Sequence, residues 1–215
     1  MNERVVVIGG GGHAKVLVDI IEQSADIEIV GFVSTDEHEK LYGYPRLGND
    51  DVLPAVFDSG VRSALVAIGD NRRRKLWIDT LRKRGFRLIS AISPAAVVSK
   101  HVRVGDGIAL LPGAVVNADA DLGDGVIVNT NASIDHDCVV GKCVHVAPGA
   151  NVAGCVRVEE GVLLGTGSSV IPGVTIGSWT IVGAGAAVVS DLPANVVAVG
   201  VPAVPSKANR ADQTI

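Results

Sequence analysis

Four consecutive residues, Ile134-Asp135-His136-Asp137, set an imidazole between two carboxylates. A neighbouring carboxylate orients a histidine ring and raises its basicity, which suits it to take a proton from an attacking group. His145 follows nine residues later. A second candidate is the run Gly9-Gly10-Gly11-Gly12-His13-Ala14, in which Gly9, Gly11 and Ala14 give G-x-G-x-x-A. Between a strand and a helix such a loop presents backbone N–H groups to an anion, and His13 adds a side-chain donor. Phosphate is the expected guest, with a plain tight turn as the alternative. A third candidate is Gly69-Asp70-Asn71-Arg72-Arg73-Arg74. One of these arginines would meet a phosphate, although each taken singly also suits a solvated helix face. Cys138, Cys143 and Cys155 carry no argument for a depressed pKa and are read as inert. His38 and His101 are read as structural.

The element that must position His136 is periodic. From Ala96 to Asp191 the chain divides into sixteen blocks of six residues without insertion or deletion. The third position of every block is aliphatic, as in Val98, Val104, Leu110, Val146 and Val188. The first position is small or β-branched, and Gly recurs at the fourth and sixth. A strict period of six fits a parallel β-helix. Three blocks close a triangular coil of eighteen residues, with the first and third positions turned inward. His136 takes the fifth position, at a corner, where side chains project outward. One coil on, eighteen residues later, stands Gly154, which leaves open backbone beside the imidazole. His145 takes an outward second position on a flat face.

The element that must position the glycine loop is of another kind. Arg4–Ile8 reads as a buried parallel strand, and residues 15–23 show helical spacing. Strands are expected over 27–33, 63–68 and 86–92, a loop carrying Gly43, Pro45 and Gly48, a short helix over 50–58 and a basic helix over 71–84. Alternating strand and helix predicts a parallel sheet with helices on its faces. Ligands bind such sheets at the carboxyl ends of the strands, where Ser34, Thr35 and Asp36 follow the second strand near a ribose or base. Four strands make a nucleotide diphosphate a better guest than a dinucleotide. Pro94 marks the boundary, so the expected parts are 1–93, a solenoid over 94–192 and a tail over 193–215 that is loose from Ser206.

Composition excludes several classes. A net charge of −4 without a basic stripe argues against nucleic acid. Three cysteines give no disulfide framework, and a reducing cytoplasm is the default. No apolar stretch has membrane-spanning length, and the run after Arg4 is too short for a signal peptide.

Taken together, Gly11-Gly12-His13, residues 67–71 with Arg74, Asn129-Thr130-Asn131, residues 134–141, residues 145–149 and Gly200-Val201-Pro202-Ala203 resemble one family over nearly the whole chain. It is that of the sialic acid O-acetyltransferase type, in particular the N-acetyltransferases of nucleotide-linked 4-amino-4,6-dideoxy sugars. The resemblance implies α/β plus all-β architecture: a small Rossmann-like domain followed by a left-handed β-helix. It implies acetyl-CoA as co-substrate with no metal, and a cytoplasmic homotrimer with active sites between subunits. His136 would be the catalytic base and Asp137 its orienting carboxylate. Asn129, His145, Gly154, Thr166 and Ala184 would line the acetyl-CoA groove. Gly11, Gly12 and His13 would hold the sugar nucleotide's diphosphate, with Ser34 and Thr35 near its base or ribose, and Gly69 and Arg74 would belong to the same substrate site. Uridine-binding relatives carry acidic residues where this chain has Ser34 and Thr35, which leaves room for guanosine. The tail motif commonly ends in Lys, where this chain has Val204.

The expected reaction is acetyl transfer to the 4-amino group of a nucleotide-linked sugar for cell-surface glycan synthesis. The alternative nearest in mechanism is sugar O-acetylation. A zinc hydratase would need three converging histidines, for which only His101, His136 and His145 can be nominated. A non-catalytic nucleotide-sugar binder would release no CoA thiol.

Overall fold

Val5, Val6, Val7 and Ile8 are fully buried in strand β1 (Glu3–Ile8) of the computed structural model, which describes residues 2–35 and 40–209. Asp36 and His38 lie outside the described residues. The chain forms two units, one ending at Ser93 and one beginning at Pro94.

The first unit is a sheet with helices. After β1 come α1 (Gly12–Ile21), β2 (Ile27–Val33), β3 (Lys40–Leu41), β4 (Tyr44–Gly48), α2 (Leu53–Asp58), β5 (Ser63–Val66), α3 (Asn71–Lys83) and β6 (Arg87–Leu88). The sheet order is β3-β4-β2-β1-β5-β6. All pairings are parallel except β3 with β4. Unbroken apolar strands such as β1 are what a sheet buried on both faces requires. The α1 residues Ala14, Leu17, Val18 and Ile21 recur at helical spacing and are buried.

Two features depart from the sequence expectation. The stretch expected as a loop around Gly43 and Pro45 is an edge hairpin. Tyr42 and Gly43 both have positive φ, 50° and 92°, as a two-residue hairpin turn requires. Pro45 stands in β4 opposite Lys40 of β3, the two-residue strand at the edge of the sheet. The strand expected over 86–92 is two short pieces, β6 and Ala91–Ile92.

The second unit is the solenoid. Two-residue strands stack in parallel at an offset of eighteen residues on each of three faces. One column runs Ile127, His145, Leu163 and Ile181; another Ser133, Asn151, Ser169 and Ala187; the third Val139, Arg157 and Thr175. First and third positions fill the core from Ile108 to Val188. Val98 and Val104, expected inward, are 36% and 49% exposed because the first coil has no coil beneath it. At the corners, every sixth position from Gly107 to Gly185 has φ between 54° and 74°, which is why Gly, Asn and Asp recur there.

The tail is more ordered than expected. Val196–Val199 pairs in parallel with Ile181–Val182, and Val204–Ala208 folds back on it antiparallel. Ser206, expected to begin a loose end, lies in this last strand and donates to the Val197 carbonyl at 3.0 Å. No helix among the described residues is long and apolar enough to cross a membrane.

Candidate active site

The carboxyl ends of β1, β2 and β5 open onto a cleft of about 270 Å³ in the first unit. Gly9 through His13, Ser34, Thr35, Gly69, Arg73 and Trp77 line it. At Gly9, φ is 114° and a Cβ would stand 2.6 Å from the Ala67 carbonyl oxygen, so only glycine fits this turn. A Cβ on Gly11 or Gly12 would meet open space. Gly11 caps α1 without a side-chain hydrogen bond, so the first N–H groups of the helix look into the cleft. Uncapped N–H groups and the positive end of the helix dipole favour an anion.

His13 is mostly buried, and burial together with the nearby Arg74 guanidinium lowers its pKa to about 4. It therefore meets a ligand at neutral pH as a neutral imidazole and contributes a hydrogen bond, not a charge.

Arg74, expected in the substrate site, is absent from the cleft lining and only 1% exposed. Its Nη1 donates to the carbonyls of Ile68 and Gly69 at 3.0 and 2.9 Å, and its Nη2 to Asn71 Oδ1 at 2.7 Å. It braces the turn that carries Gly69. Helix phase explains the difference. Asp70 accepts from the Arg73 N–H at 2.7 Å and starts α3 there. Arg74, Ile78 and Leu81 then share the buried face, while Arg73 and Trp77, one turn apart, face the cleft. Sequence reasoning missed Trp77; its spacing of four from Arg73 was the available signal.

In the second unit, His136 stands at the corner that follows strand Ser133–Ile134 and is exposed. Its Nδ1 is 2.8 Å from Asp137 Oδ2. Its backbone N–H donates to Asp135 Oδ1 at 2.8 Å, and Asn117 Nδ2 donates to the same carboxylate oxygen at 2.9 Å. The hydrogen bond to Asp137, then the charge of Asp135, raise the His136 pKa above its ordinary value. With Nδ1–H donated to the carboxylate, Nε2 carries the lone pair. One coil on, a Cβ on Gly154 would stand 2.6 Å from His136 Cε1 and 2.7 Å from Nε2. The ring thus lies against bare backbone.

Asn129 and His145 come together elsewhere. Asn129 Nδ2 donates to His145 Nε2 at 3.0 Å, and Asn129 Oδ1 accepts from the Thr130 N–H at 2.8 Å. Thr166 and Ala184 are exposed fifth-position residues, each just before a corner glycine. A Cβ on Gly149, Gly167 or Gly185 would meet nothing within 4 Å, so this corner offers an uncluttered strip along successive coils. It is a different corner from that of His136; the face carrying Ser133–Ile134 separates them.

Cys138 and Cys143 are buried, and Cys155 is exposed. Cys138 donates its Sγ–H to the Ala153 carbonyl at 3.1 Å, and burial raises its pKa. Cys155 sits eighteen residues beyond Asp137, at the same corner. Among the described residues, His101, His136 and His145 form no metal-holding group.

Residues 4–81 match the PglD N-terminal domain. A stretch of 114 residues is 35% identical to UDP-N-acetylbacillosamine N-acetyltransferase of Bacillus subtilis, spanning 51% of this chain and about half of that protein. Solved structures match over nearly the full length. A histidine-to-asparagine variant of perosamine N-acetyltransferase from Caulobacter crescentus, in complex with CoA and GDP-perosamine, is 46% identical. The match covers 94% of this chain and 96% of that one, with a TM-score of 0.91. The acetyltransferase domain of PglB from Neisseria gonorrhoeae, in complex with acetyl coenzyme A, is 36% identical. There the coverage is 96% and 100%, and the TM-score 0.90. With a Rossmann-like first unit and a left-handed β-helix, similar at 46% identity to a perosamine N-acetyltransferase, the chain belongs to the family of nucleotide-linked amino-sugar N-acetyltransferases.

Proposed function

We propose that this protein transfers acetyl from acetyl-CoA to the 4-amino group of a nucleotide-linked 4-amino-4,6-dideoxy sugar, with GDP-perosamine first and a UDP-linked sugar second. One observation carries the reading: the His136–Asp137 pair lies against the bare Gly154 backbone in a chain 46% identical to a protein solved with CoA and GDP-perosamine. The sugar's amine attacks the thioester carbonyl as the free base. As the C–N bond forms, one amine proton passes to Nε2 of His136. Collapse of the tetrahedral adduct breaks the C–S bond, and the proton goes on to the departing CoA sulfur. Asp137 holds the ring in the tautomer that accepts at Nε2. Nothing in this sequence of steps calls for an acyl-enzyme or a metal.

The α1 N-terminus, Gly11, Gly12 and His13 hold the diphosphate, with Gly69 in the facing turn and Ser34 and Thr35 at the base. Arg73 is nearer than Arg74 to a phosphate in this reading, because it lines the cleft. Asn129, His145, Thr166 and Ala184 border the acetyl-CoA strip, and Gly154 lies beside the acetyl group. His136 and the Asn129–His145 pair occupy different corners of one prism, which supports a homotrimer that joins one chain's His136 to its neighbour's strip. Three free cysteines favour a reducing cytoplasm, and the product would enter cell-surface glycan synthesis such as that of O-antigen.

Measuring free CoA release over GDP-, UDP- and dTDP-linked 4-amino sugars tests the assignment. Turnover with an alkali-stable amide as product is expected, fastest with GDP-perosamine. An alkali-labile ester would point instead to sugar O-acetylation, and binding without CoA release to a non-catalytic protein.

A further inference from the structure

The corner that carries His136 holds a third side chain, which acetyl transfer leaves unused. Asp137 and Cys155 are sixth-position residues of successive coils, with φ of 58° and 60°. Their shared left-handed conformation sends both side chains out of the corner in the same sense. The Cys155 N–H donates to the His136 carbonyl at 2.9 Å, which fixes the spacing between the two coils. One ligand atom each from His136, Asp137 and Cys155 lie within 4.8 Å of one another, and all three residues are exposed. Among the described residues this is the one such grouping of histidine, cysteine and carboxylate.

An imidazole nitrogen, a carboxylate oxygen and a thiolate sulfur make a donor set of intermediate softness. Sulfur disfavours calcium and magnesium, which take oxygen, and the mixed set suits zinc. Bonds of roughly 2.0 Å to nitrogen and 2.3 Å to sulfur place tetrahedral ligands about 3.5 Å apart. Exposed side chains on a rigid corner reach that separation by small rotamer changes. Three protein ligands leave a fourth position to water.

We propose that His136, Asp137 and Cys155 form an inhibitory zinc site, in which Zn²⁺ takes the imidazole and carboxylate that acetyl transfer needs. The inhibitory part rests on the acetyl-transfer reading; the site itself does not. Binding displaces the Cys155 thiol proton to solvent, with no change of oxidation state. Cys155 has no task in the acetyl transfer, so its loss separates zinc sensitivity from turnover.

The test begins without substrate. Reduced protein is titrated with Co²⁺ alone and followed by absorption. A sulfur-to-cobalt charge-transfer band saturating at one ion per chain, and discharged by Zn²⁺, is expected. The Cys155→Ser variant should lack the band and bind Zn²⁺ in calorimetry at least about tenfold more weakly. Amide product is then measured by chromatography. Zn²⁺ should suppress the wild type, a chelator should restore it, and Cys155→Ser should keep wild-type kcat while resisting the same zinc concentration. Absence of the sulfur–cobalt band, or equal zinc inhibition of Cys155→Ser and wild type, overturns the site. A protein that shows the band but acetylates no nucleotide sugar loses the acetyl-transfer reading and keeps the metal site.

Discussion

A Cβ added at Gly154 would stand 2.6 Å from the His136 ring, closer than carbon atoms approach without something moving. The imidazole is exposed and swings away at little cost, so Gly154→Ala should melt with the wild type. Its kcat should nevertheless fall, by about 10²-fold for a base displaced on the ångström scale. Parallel melting curves and steady-state kinetics check both halves. His13 supports a pH prediction. Its folded-state pKa is lowered to about 4, so an unfolded chain takes up the proton first as pH falls. Stability is fully present above about pH 6.5 and should be lost progressively toward pH 4, by up to about 3 kcal/mol. Melting temperatures over that window, compared with His13→Gln, should show a shallower acid slope in the variant. At this scale the sequence was legible where a motif depends on backbone geometry. Gly9 stands in the loop expected between the first strand and the first helix, and its φ and the Ala67 carbonyl admit nothing larger there. Arg74 was misplaced because three adjacent arginines look alike until the Asp70 cap sets the helix phase.

Among the elements, the hexapeptide coils were the most legible, since small and aliphatic residues must alternate to fill a narrow prism. Ser168 is the exception that reports on them. It is fully buried at a first position, and its Oγ has no hydrogen-bond partner among the described residues. Thr180, equally buried, donates to the Pro193 carbonyl at 2.6 Å and accepts from the Val196 N–H at 3.3 Å. Ser168→Ala should therefore raise the free energy of unfolding by about 1 kcal/mol, whereas Thr180→Ala should lower it by about 1–3 kcal/mol. Opposite shifts of the urea midpoint at constant slope would bear this out. The hairpin of β3 and β4 was illegible because a two-residue edge strand and a short strand that contains Pro45 carry neither apolar alternation nor length. The last strand was equally hidden: Ser206–Ala208 is exposed on both sides and held by pairing with Val196–Val197, which periodicity does not register.

For the molecule as a whole, the two-unit organisation follows from a change of period at Pro94, where alternating strands and helices give way to hexads. A division of labour should follow. Gly11 has φ of −81°, and a Cβ there meets open space, so Gly11→Val should fold. The added side chain would occupy the cleft at the α1 N-terminus. Sugar-nucleotide affinity should fall strongly while that for acetyl-CoA stays nearly intact; calorimetric titration with each ligand reads the two separately. Equal losses would contradict the assignment of the two ligands to different units. In the trimer proposed above, His136 would meet the Asn129–His145 corner of another copy, a pairing that no single chain's sequence displays.

The central claim is that His136 takes the proton of the attacking amine, and steady-state kinetics of His136→Asn with the best nucleotide sugar tests it most directly. The ring is exposed at a corner, so the variant should fold and bind both substrates. Asn keeps a hydrogen-bonding group but accepts no proton at neutral pH, so kcat should fall by about 10²–10⁴-fold. Wild-type activity should drop as falling pH protonates His136, at a pH above that of an ordinary histidine because of Asp137 and Asp135, and the variant's residual activity should lack that limb. A His136→Asn enzyme within a few-fold of wild-type kcat, with the acid limb intact, would contradict the account.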